Sequence, residues 1–429
     1  MNFALLGDDP RILPLLAAIR SSPTHAVTHV LGIVPHSDVG RAVSGARSIG
    51  AWEELLVKDG PQAVILAGDG DELLASARRL LGEGKPLFVL PCLGQAASFV
   101  YELMLDQADT GIVLAPIFPL RSHPLVTKLM RQVSAGELGP LLHLQLERRL
   151  VPAAARTGAA ATGMRLLDAG QLDRAFLEDA DLLRFVCGEY DQVTSLRSGD
   201  QASGFSLAAV TLAGAGLPQA VWSASVASDG TASWIVTILG QHAMAILSGD
   251  PDRQALTLEI RAAGEASTTF AVVAESSRDS LEVVEAVLAV TSNGGTSTSE
   301  SVSAEDGHEM LAVIEAALRT GKPAPDWLDA TRLFDWLDAT RRSLRRRRTI
   351  ELHFEELSER SQFKSQMTAI GCGVLVFTLV AMVVYLIVAQ MFVINGTVKQ
   401  VLRFAIFAPL GLFLLAQLLL AVTRSGKTE

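Results

Sequence analysis

Two long uncharged runs near the C-terminus constrain this chain more than any other feature. Residues 365–398 contain no charged side chain, and a second apolar run covers residues 404–423. A helix needs about 20 apolar residues to cross a hydrocarbon core of roughly 30 Å. We therefore predict transmembrane helices at 367–394 and 404–423, after a juxtamembrane linker at 356–366. Two buried core helices are the alternative, but such helices are usually shorter and amphipathic.

The charges around these runs predict an orientation. Arg424 and Lys427 follow the second run, while the hairpin loop between the runs carries Lys399. The residues that precede the first run include six arginines: Arg341, Arg342, Arg345, Arg346, Arg347 and Arg348. The positive-inside tendency places both termini and the body of the chain in the cytoplasm. We expect a multi-pass protein of the cell (inner) membrane, with the lipid bilayer as a partner. The arginines either contact anionic headgroups or are solvated positions near the end of a domain.

Composition limits the remaining function classes. The formal net charge is −10, which argues against nucleic-acid binding. The chain has three cysteines and eight histidines. Cys92, Cys187 and Cys372 lie far apart and form neither a metal-ligand spacing nor a disulfide framework. We expect no metal site.

The first third of the chain alternates predicted strands with predicted helices. The strands are short apolar runs at 3–6, 27–34, 63–67, 87–90 and 111–115. Helical spacing separates them at 12–19, 52–56, 73–81 and 96–105. This order predicts a parallel, doubly wound sheet whose strands are covered on both faces.

The middle of the chain has a different pattern. Successive strand-like runs separated by Gly, Asp or Ser turns occur at 141–150, 205–212, 220–227, 233–239, 243–247, 255–260 and 268–274. They predict an open, mainly antiparallel sheet. Helical segments are expected at 176–185, 280–290 and 304–319. The predicted fold class is thus α/β plus α+β: a Rossmann-like nucleotide-binding-type domain at 1–122 and an antiparallel-sheet domain at 123–355, followed by the two transmembrane helices.

A nine-residue duplication follows the sheet. The sequence from Asp326 to Arg332 recurs from Asp335 to Arg341. Nine residues make two and a half helical turns, so the copies face opposite sides of a helix. Two copies are too few for a solenoid, and we interpret them as a local duplication.

The order of these elements resembles the Gfo/Idh/MocA oxidoreductases, many of which act on sugars or cyclitols. The resemblance covers roughly residues 2–352. Its most specific stretches lie at 84–89, 121–124, 136–139, 181–189 and 349–352. It implies NAD or NADP as a cofactor, bound at the carboxyl ends of the parallel strands.

The residues that the resemblance places at the cofactor are Gly7, Asp8, Asp9, Pro10, His36, Gly68 and Pro91. The family usually has a Gly-x-Gly-x-x-Gly/Ala turn after the first strand, which lets the backbone approach the pyrophosphate. Here only Gly7 survives, and Asp8 and Asp9 place two carboxylates where the pyrophosphate would lie. The alternative interpretation is N-capping by an aspartate. After the second strand, His36 stands where an acidic residue normally holds the ribose; it either binds ribose or is solvated.

The catalytic motifs of the family are also altered. Its Glu-Lys-Pro sequence aligns with Leu90, Pro91 and Cys92, so the usual catalytic lysine is replaced by Pro91. A His-x-x-Asp motif on one helix becomes Glu178 and Asp181, which share a helix face. A Glu/Asp pair can serve as general acid and base. The alternative is an exposed polar helix face.

Two functions remain. The one we favour is a membrane-anchored, cytoplasm-facing pseudoenzyme, a ligand-binding or scaffolding module that keeps the fold without the chemistry. The alternative is a divergent NAD(P)-dependent oxidoreductase acting on a sugar or sugar-nucleotide, with Glu178 and Asp181 as its catalytic residues. The resemblance also implies a homo-oligomer formed through the open antiparallel sheet, which would cover its apolar face.

Overall fold

The computed structural model describes residues 1–57, 60–153, 166–250, 255–262, 268–273, 287–292, 298–301, 305–352, 377–378 and 380–382. Two compact units divide the chain, Met1–Leu352 and His353–Glu429. In the second unit the described residues, 377–378 and 380–382, are helical. The remaining description concerns the first unit.

A parallel sheet forms the first part of this unit. Its strands are β1 (Asn2–Leu6), β2 (Ala26–Leu31), β3 (Arg47–Ser48), β4 (Ala63–Leu66), β5 (Leu87–Val89) and β6 (Leu114–Pro116), in the order β3-β2-β1-β4-β5-β6. The helices beside it are α1 (Leu13–Ser21), α2 (Asp38–Ala42), α3 (Asp71–Gly82), α4 (Ala97–Thr110) and α5 (Pro124–Ser134). The residues of β1 from Phe3 to Leu6 are fully buried. This agrees with an apolar run that is covered on both faces.

A second, larger sheet follows. Its strands are β7 (Leu141–Leu150), β8 (Gln192–Asp200), β9 (Gly204–Ala213), β10 (Gln219–Val226), β11 (Ser233–Gly240), β12 (Ala243–Asp250), β13 (Ala255–Ala262), β14 (Thr268–Val273), β15 (Val287–Ser292), β16 (Thr298–Ser301) and β17 (Ile350–Glu351). The order is β16-β15-β14-β13-β12-β11-β7-β10-β9-β8-β17. The described pairs are antiparallel apart from β7 with β10. The sheet is therefore mixed but mainly antiparallel.

Three long helices complete the unit. They are α6 (Ala169–Cys187), α7 (Glu305–Thr320) and α8 (Trp327–Arg346). Helix α7 returns to the first sheet and packs on α1, where a Cβ on Gly307 would lie 2.1 Å from the Pro14 carbonyl oxygen. Met310, Leu311 and Ile314 complete the hydrophobic core around β1. Residues near the C-terminal end of the unit therefore pack in the same core as its N-terminal strand.

Helix α8 carries the nine-residue duplication. Trp327 and Trp336 are the equivalent tryptophans of the two copies, and both are buried. Trp327 Nε1 donates to the Val100 carbonyl oxygen on α4 at 2.9 Å, whereas the ring of Trp336 lies 5.7 Å from that of Tyr190. The two copies therefore face different neighbours, as the half-turn offset requires.

The prediction of two sheets, one parallel and one mainly antiparallel, is confirmed. The helix expected at 280–290 is wrong over 287–290, which belongs to β15, and residues 280–286 lie outside the described residues. No helix among the described residues has the length and apolar character needed to cross a bilayer. The predicted spans, 367–394 and 404–423, lie outside those residues except for the five helical positions within 377–382. The domain boundaries at 122 and 355 stay predictions.

Candidate functional site

The turn after β1 is shaped by Gly7. This residue has φ +86°, and a Cβ there would lie 2.5 Å from the Ala67 carbonyl oxygen at the end of β4. A side chain is excluded both by the backbone conformation and by the close approach. Gly68 lies against the same turn, because its own Cβ would be 3.2 Å from Gly7 Cα. The first glycine of a dinucleotide-binding turn is thus retained in both sequence and geometry.

The rest of the turn is closed by its own hydrogen bonds. Asp9 caps the helical turn Pro10–Ile12, and its Oδ1 accepts from the Arg11 backbone N–H at 3.0 Å. Three further backbone N–H groups have acceptors within the chain: Asp9 donates to Ala67, Ile12 to Asp9 and Leu13 to Pro10. Pro10 has no N–H to offer. The backbone N–H groups of Asp9, Arg11 and Ile12 are therefore already occupied within the chain.

Arg11 extends from this turn across the end of β5. Its Nε and Nη2 donate to the two carboxylate oxygens of Asp9 at 2.9 and 2.8 Å. Nη2 also donates to the Pro91 carbonyl oxygen at 3.0 Å and lies 3.3 Å from Cys92 Sγ. Burial alone would raise the pKa of Asp9, but Arg11 outweighs it and holds that pKa below the ordinary value. Burial also raises the pKa of the Cys92 thiol, which disfavours a reactive thiolate.

Helix α6 presents Glu178 to this arginine. Glu178 Oε1 lies 3.8 Å from Arg11 Nη1, and Oε2 lies 3.0 Å from Arg148 Nη1. Arg148 comes from the inward face of β7 and also contacts Asp179 Oδ1 at 3.2 Å. Positive and negative groups therefore alternate from the turn after β1 to the second sheet. The side chain of Glu178 is 17% exposed, so a small ligand can reach it.

Asp179 anchors this array in the core. Its two carboxylate oxygens accept from the indole nitrogens of Trp222 at 2.8 Å and Trp234 at 3.0 Å. These tryptophans lie on β10 and β11, the strands on either side of β7. Burial raises the pKa of Asp179, and the charge of Arg148 opposes the shift. Asp179 thus holds Arg148 in place rather than facing solvent.

Asp181 is held by a different arginine. Arg121 Nε donates to its Oδ2 at 2.9 Å, and Nη2 donates to its Oδ1 at 2.5 Å. The Arg121 guanidinium also lies over the rings of Phe118 and Phe185 at 4.6 and 4.9 Å. Burial raises the pKa of Asp181 while Arg121 lowers it. A bidentate pair of this kind leaves Asp181 little freedom to exchange protons with a substrate.

A cleft of about 960 Å³ brings these groups together. Of the residues predicted from the sequence, Asp9, Pro10, Pro91, Glu178 and Asp181 line it. The rest of the lining is largely apolar and includes Leu13, Pro14, Leu93, Phe118, Leu120, Leu150 and Leu177. A few polar groups on an apolar wall are typical of a small-molecule site.

Four predicted cofactor residues lie outside this lining: Gly7, at the turn described above, Asp8, His36 and Gly68. Asp8 Oδ2 is 3.4 Å from the Val34 N–H beyond β2. The side chain of His36 is exposed, and its carbonyl oxygen accepts from Arg41 Nη1 at 2.7 Å. Gly68 supports the turn at Gly7, as described above, and its carbonyl oxygen accepts from Gln95 Nε2 at 3.0 Å.

These residues do not fit a bound NAD or NADP. The resemblance would place the pyrophosphate at the turn where the Asp9 carboxylate pairs with Arg11, and the ribose beyond β2, where the Asp8 carboxylate lies 3.4 Å from the Val34 nitrogen. An anionic diphosphate there would displace satisfied hydrogen bonds and meet two carboxylates. The described residues also contain no group of three or more His, Cys, Asp or Glu side chains arranged to hold a metal ion.

The sequence analysis did not identify Arg11 and Arg148, two of the arginines that line the cleft. Arg11 lies in the turn after β1, where the expected second and third glycines are absent. Their absence was a signal that a side chain of the turn occupies the space otherwise left for a cofactor. Arg148 lies at an inward position of β7, between the buried Leu146 and Leu150 at the cleft. A charged residue on the core face of a strand requires a buried partner. The acidic residues predicted on α6 were the available candidates for that partner.

Comparison with known proteins supports the fold. No family model and no curated protein matches the sequence. Among solved structures, the chain is similar to myo-inositol dehydrogenase from Corynebacterium glutamicum ATCC 13032, with TM-score 0.57, 15% identity and coverage of 83% of this chain and 99% of that one. It is similar to levoglucosan dehydrogenase in complex with NADH and levoglucosan, with TM-score 0.59, 14% identity and coverage of 82% and 99%. An oxidoreductase from Agrobacterium radiobacter in complex with NAD⁺, L-tartaric acid and magnesium matches with TM-score 0.55, 15% identity and coverage of 82% and 98%.

These structures are Gfo/Idh/MocA-type oxidoreductases, so the predicted resemblance is confirmed for the fold. Two of them contain NADH or NAD⁺. Identities of 14–15% show the fold alone, and the function has to be argued from the site.

Proposed function

We propose that this chain is a ligand-binding protein with the Gfo/Idh/MocA fold, which takes a small polyhydroxylated molecule into its cleft without hydride transfer. The single observation that carries this proposal is the closed turn at Asp9 and Arg11. It supplies the chain's own charges where the related folds take a dinucleotide. The cleft beyond the turn is open and contains accessible acceptor and donor groups.

The chemistry of the cleft supports a hydroxylated ligand. Glu178 provides carboxylate acceptors, while Arg11 and Arg148 provide guanidinium donors on either side of it. Neighbouring hydroxyl groups both donate and accept, so they suit alternating acceptors and donors. The apolar wall suits the carbon face of a ring. The levoglucosan and tartaric acid of the similar structures belong to the same chemical class.

The enzymatic alternative has one observation in its favour, which is the presence of NADH or NAD⁺ in similar structures. In this alternative the chain is an NAD(P)-dependent oxidoreductase with Glu178 as the acid–base group. It requires Arg11 to leave the cofactor position and Asp9 to give up its role as a cap. The contacts of both residues oppose that rearrangement.

Binding measurements on the purified full chain separate these functions. We expect myo-inositol or levoglucosan to raise the melting temperature and NAD⁺, NADH, NADP⁺ and NADPH to leave it unchanged. A ligand at a hundred times its dissociation constant stabilises the folded state by about 2.7 kcal/mol, which is readily measured. Glu178→Gln should weaken polyol binding, whereas the exposed Glu72→Gln should not. A shift with any dinucleotide would overturn the proposal and favour the oxidoreductase.

We also propose that the chain is attached to the cell membrane through 367–394 and 404–423, with its body in the cytoplasm. The length of the uncharged runs and the distribution of flanking arginines support this attachment. If the chain spans the bilayer, alkaline carbonate should leave it in the membrane fraction. Release by carbonate would contradict the attachment.

A further inference from the structure

Four consecutive arginines stand at the C-terminal end of helix α8, two in its last turn and two directly after it. Arg345, Arg346, Arg347 and Arg348 are all exposed. Within the described part of the chain none of the four has an ion-pair partner, although Arg341 pairs with Asp173 and Arg342 with Asp338 one turn earlier. We call Arg345–Arg348 the arginine turn. Its positive charge is therefore available to a partner outside the described residues.

Hydrogen bonds attach the backbone of the arginine turn to the second sheet. The fully buried Ser343 accepts from the Ser195 N–H of β8 at 2.9 Å and donates to the Arg348 carbonyl oxygen at 2.8 Å. Directly after the turn, β17 pairs with β8. Side chains held on a fixed backbone lose less entropy on binding than those on a free segment.

Arg347 occupies an unusual backbone conformation. It is the one non-glycine residue with positive φ among the described residues, with φ 51° and ψ 42° at the C-cap of α8. Glycine is the usual residue at such a helix end, and an L-residue there costs roughly 1–2 kcal/mol. The chain therefore keeps an arginine where glycine would be more stable, which points to a use for its charge.

The sequence beyond the turn places it near the predicted membrane. Residues 353–364 separate the last described residue of the body from the uncharged run, and twelve residues span at most about 43 Å. The whole chain has a formal net charge of −10. An anionic surface thus repels a chain of this net charge in most orientations, and the exposed arginines provide a cationic face that can approach it.

We propose that the arginine turn binds the anionic headgroups of the bilayer that holds the chain's own apolar runs. This inference rests on the proposed membrane attachment. Guanidinium groups form bidentate hydrogen bonds with lipid phosphates, and juxtamembrane basic clusters are attracted to anionic leaflets. The body is then docked on the membrane in one orientation instead of moving freely on its tether.

Arginine-specific modification tests this docking on the full chain in lipid nanodiscs. A dicarbonyl reagent modifies exposed guanidinium groups, and mass spectrometry gives a rate for each arginine. The discs contain phosphatidylcholine alone or phosphatidylcholine with phosphatidylglycerol. The exposed Arg41 and Arg47 are internal controls, because they lie on the parallel-sheet half of the body.

We expect phosphatidylglycerol to slow modification of the arginine turn by about tenfold while Arg41 and Arg47 react equally in both discs. The difference should disappear in 1 M salt, where the Debye length is about 3 Å. Equal rates in both discs would overturn the inference. Protection by added RNA with no effect of phosphatidylglycerol would also overturn it, in favour of a nucleic-acid partner. Failure of the chain to stay with the discs would instead overturn the membrane attachment itself.

Discussion

Arg11 Nη1 lies 3.8 Å from Glu178 Oε1, and this pair joins the turn after β1 to helix α6. By the resemblance, the first residue belongs to the turn expected to bind a dinucleotide, and the second stands at the position expected for a catalytic histidine. Their contact links the two altered motifs directly. The changes in the phosphate turn and in the catalytic helix are therefore parts of one arrangement.

Replacing Arg11 should destabilise the protein. Arg11→Met leaves the carboxylates of Asp9 and Glu178 without a shared partner inside the cleft, at a cost of about 3 kcal/mol. Denaturant unfolding of the full chain measures this change. Arg41→Met is the matched control, because its pair with Asp38 is exposed and should contribute no more than about 1 kcal/mol. Equal effects of the two substitutions would show that the Arg11 contacts are not formed in solution.

Replacing Asp179 should disturb the core beneath the cleft. In Asp179→Asn one acceptor oxygen becomes an amide donor, which leaves an indole N–H of Trp222 or Trp234 without a partner. We expect a loss of about 3 kcal/mol in the free energy of unfolding. The near-ultraviolet circular dichroism of the tryptophans should change as well. Asp168→Asn is the control, since asparagine caps a helix as well as aspartate does.

The parallel sheet could be predicted because its signal is local. The run from Phe3 to Leu6 is apolar throughout and is fully buried, as strands covered on both faces are. The completion of its core could not be predicted. Met310 and Ile314 supply that core from far along the chain, and their own helix shows only that one face is apolar.

The nine-residue duplication shows a second reason why burial could not be predicted fully from the sequence. The half-turn offset between Trp327 and Trp336 was correctly predicted to place them on opposite sides of a helix. A simple amphipathic pattern would then expose one of them. Both are buried because α8 packs on α4 through one copy and beside Tyr190 through the other. Burial on two sides depends on the tertiary arrangement and not on the helix itself.

The site was predicted only in part for a similar reason. The sequence showed that most glycines expected in the turn after β1 are absent. It also showed that Pro91 stands where the catalytic lysine is expected. The pairing of Arg11 with Glu178 and of Arg148 with Asp179 was not, because opposite charges in a sequence do not specify which pairs meet. From the sequence, Glu178 and Asp181 are predicted to have equal roles, whereas Arg121 holds Asp181 in a bidentate pair.

The contribution of Asp9 to stability should depend on pH. Its folded-state pKa lies below the ordinary value of 3.8, so the charged form is favoured in the folded protein. Its stabilisation is then fully present above pH 3.8 and is lost as the pH falls through the folded-state pKa. Asp9→Asn should be less stable than the unmodified chain by about 1–3 kcal/mol at pH 7, with the difference shrinking below pH 4. Thermal unfolding over this range measures it, and a pH-independent difference would contradict the role of the carboxylate.

The exposed face of the second sheet leads to a prediction about assembly. Ile235 and Leu239 lie on the outward side of β11, and their exposed fractions are 36% and 41%. Leu196 on β8 and Leu207 on β9 expose further apolar side chains on the same face, beyond the polar Glu147 and Ser223. Such a surface is a poor one to leave in water, so we expect two copies of the chain to pair through it.

Ile235→Glu with Leu239→Glu should prevent this pairing. Two carboxylates buried in such an interface have to be desolvated, and the dimer should weaken by at least about a hundredfold. Analytical ultracentrifugation of the full chain in nanodiscs or detergent measures the mass, and circular dichroism verifies that the variant is folded. Leu56→Glu together with Val57→Glu provides the matched control, because these exposed residues lie beside the parallel sheet. A monomeric unmodified chain, or a dimer that survives both glutamates, would contradict assembly through this face.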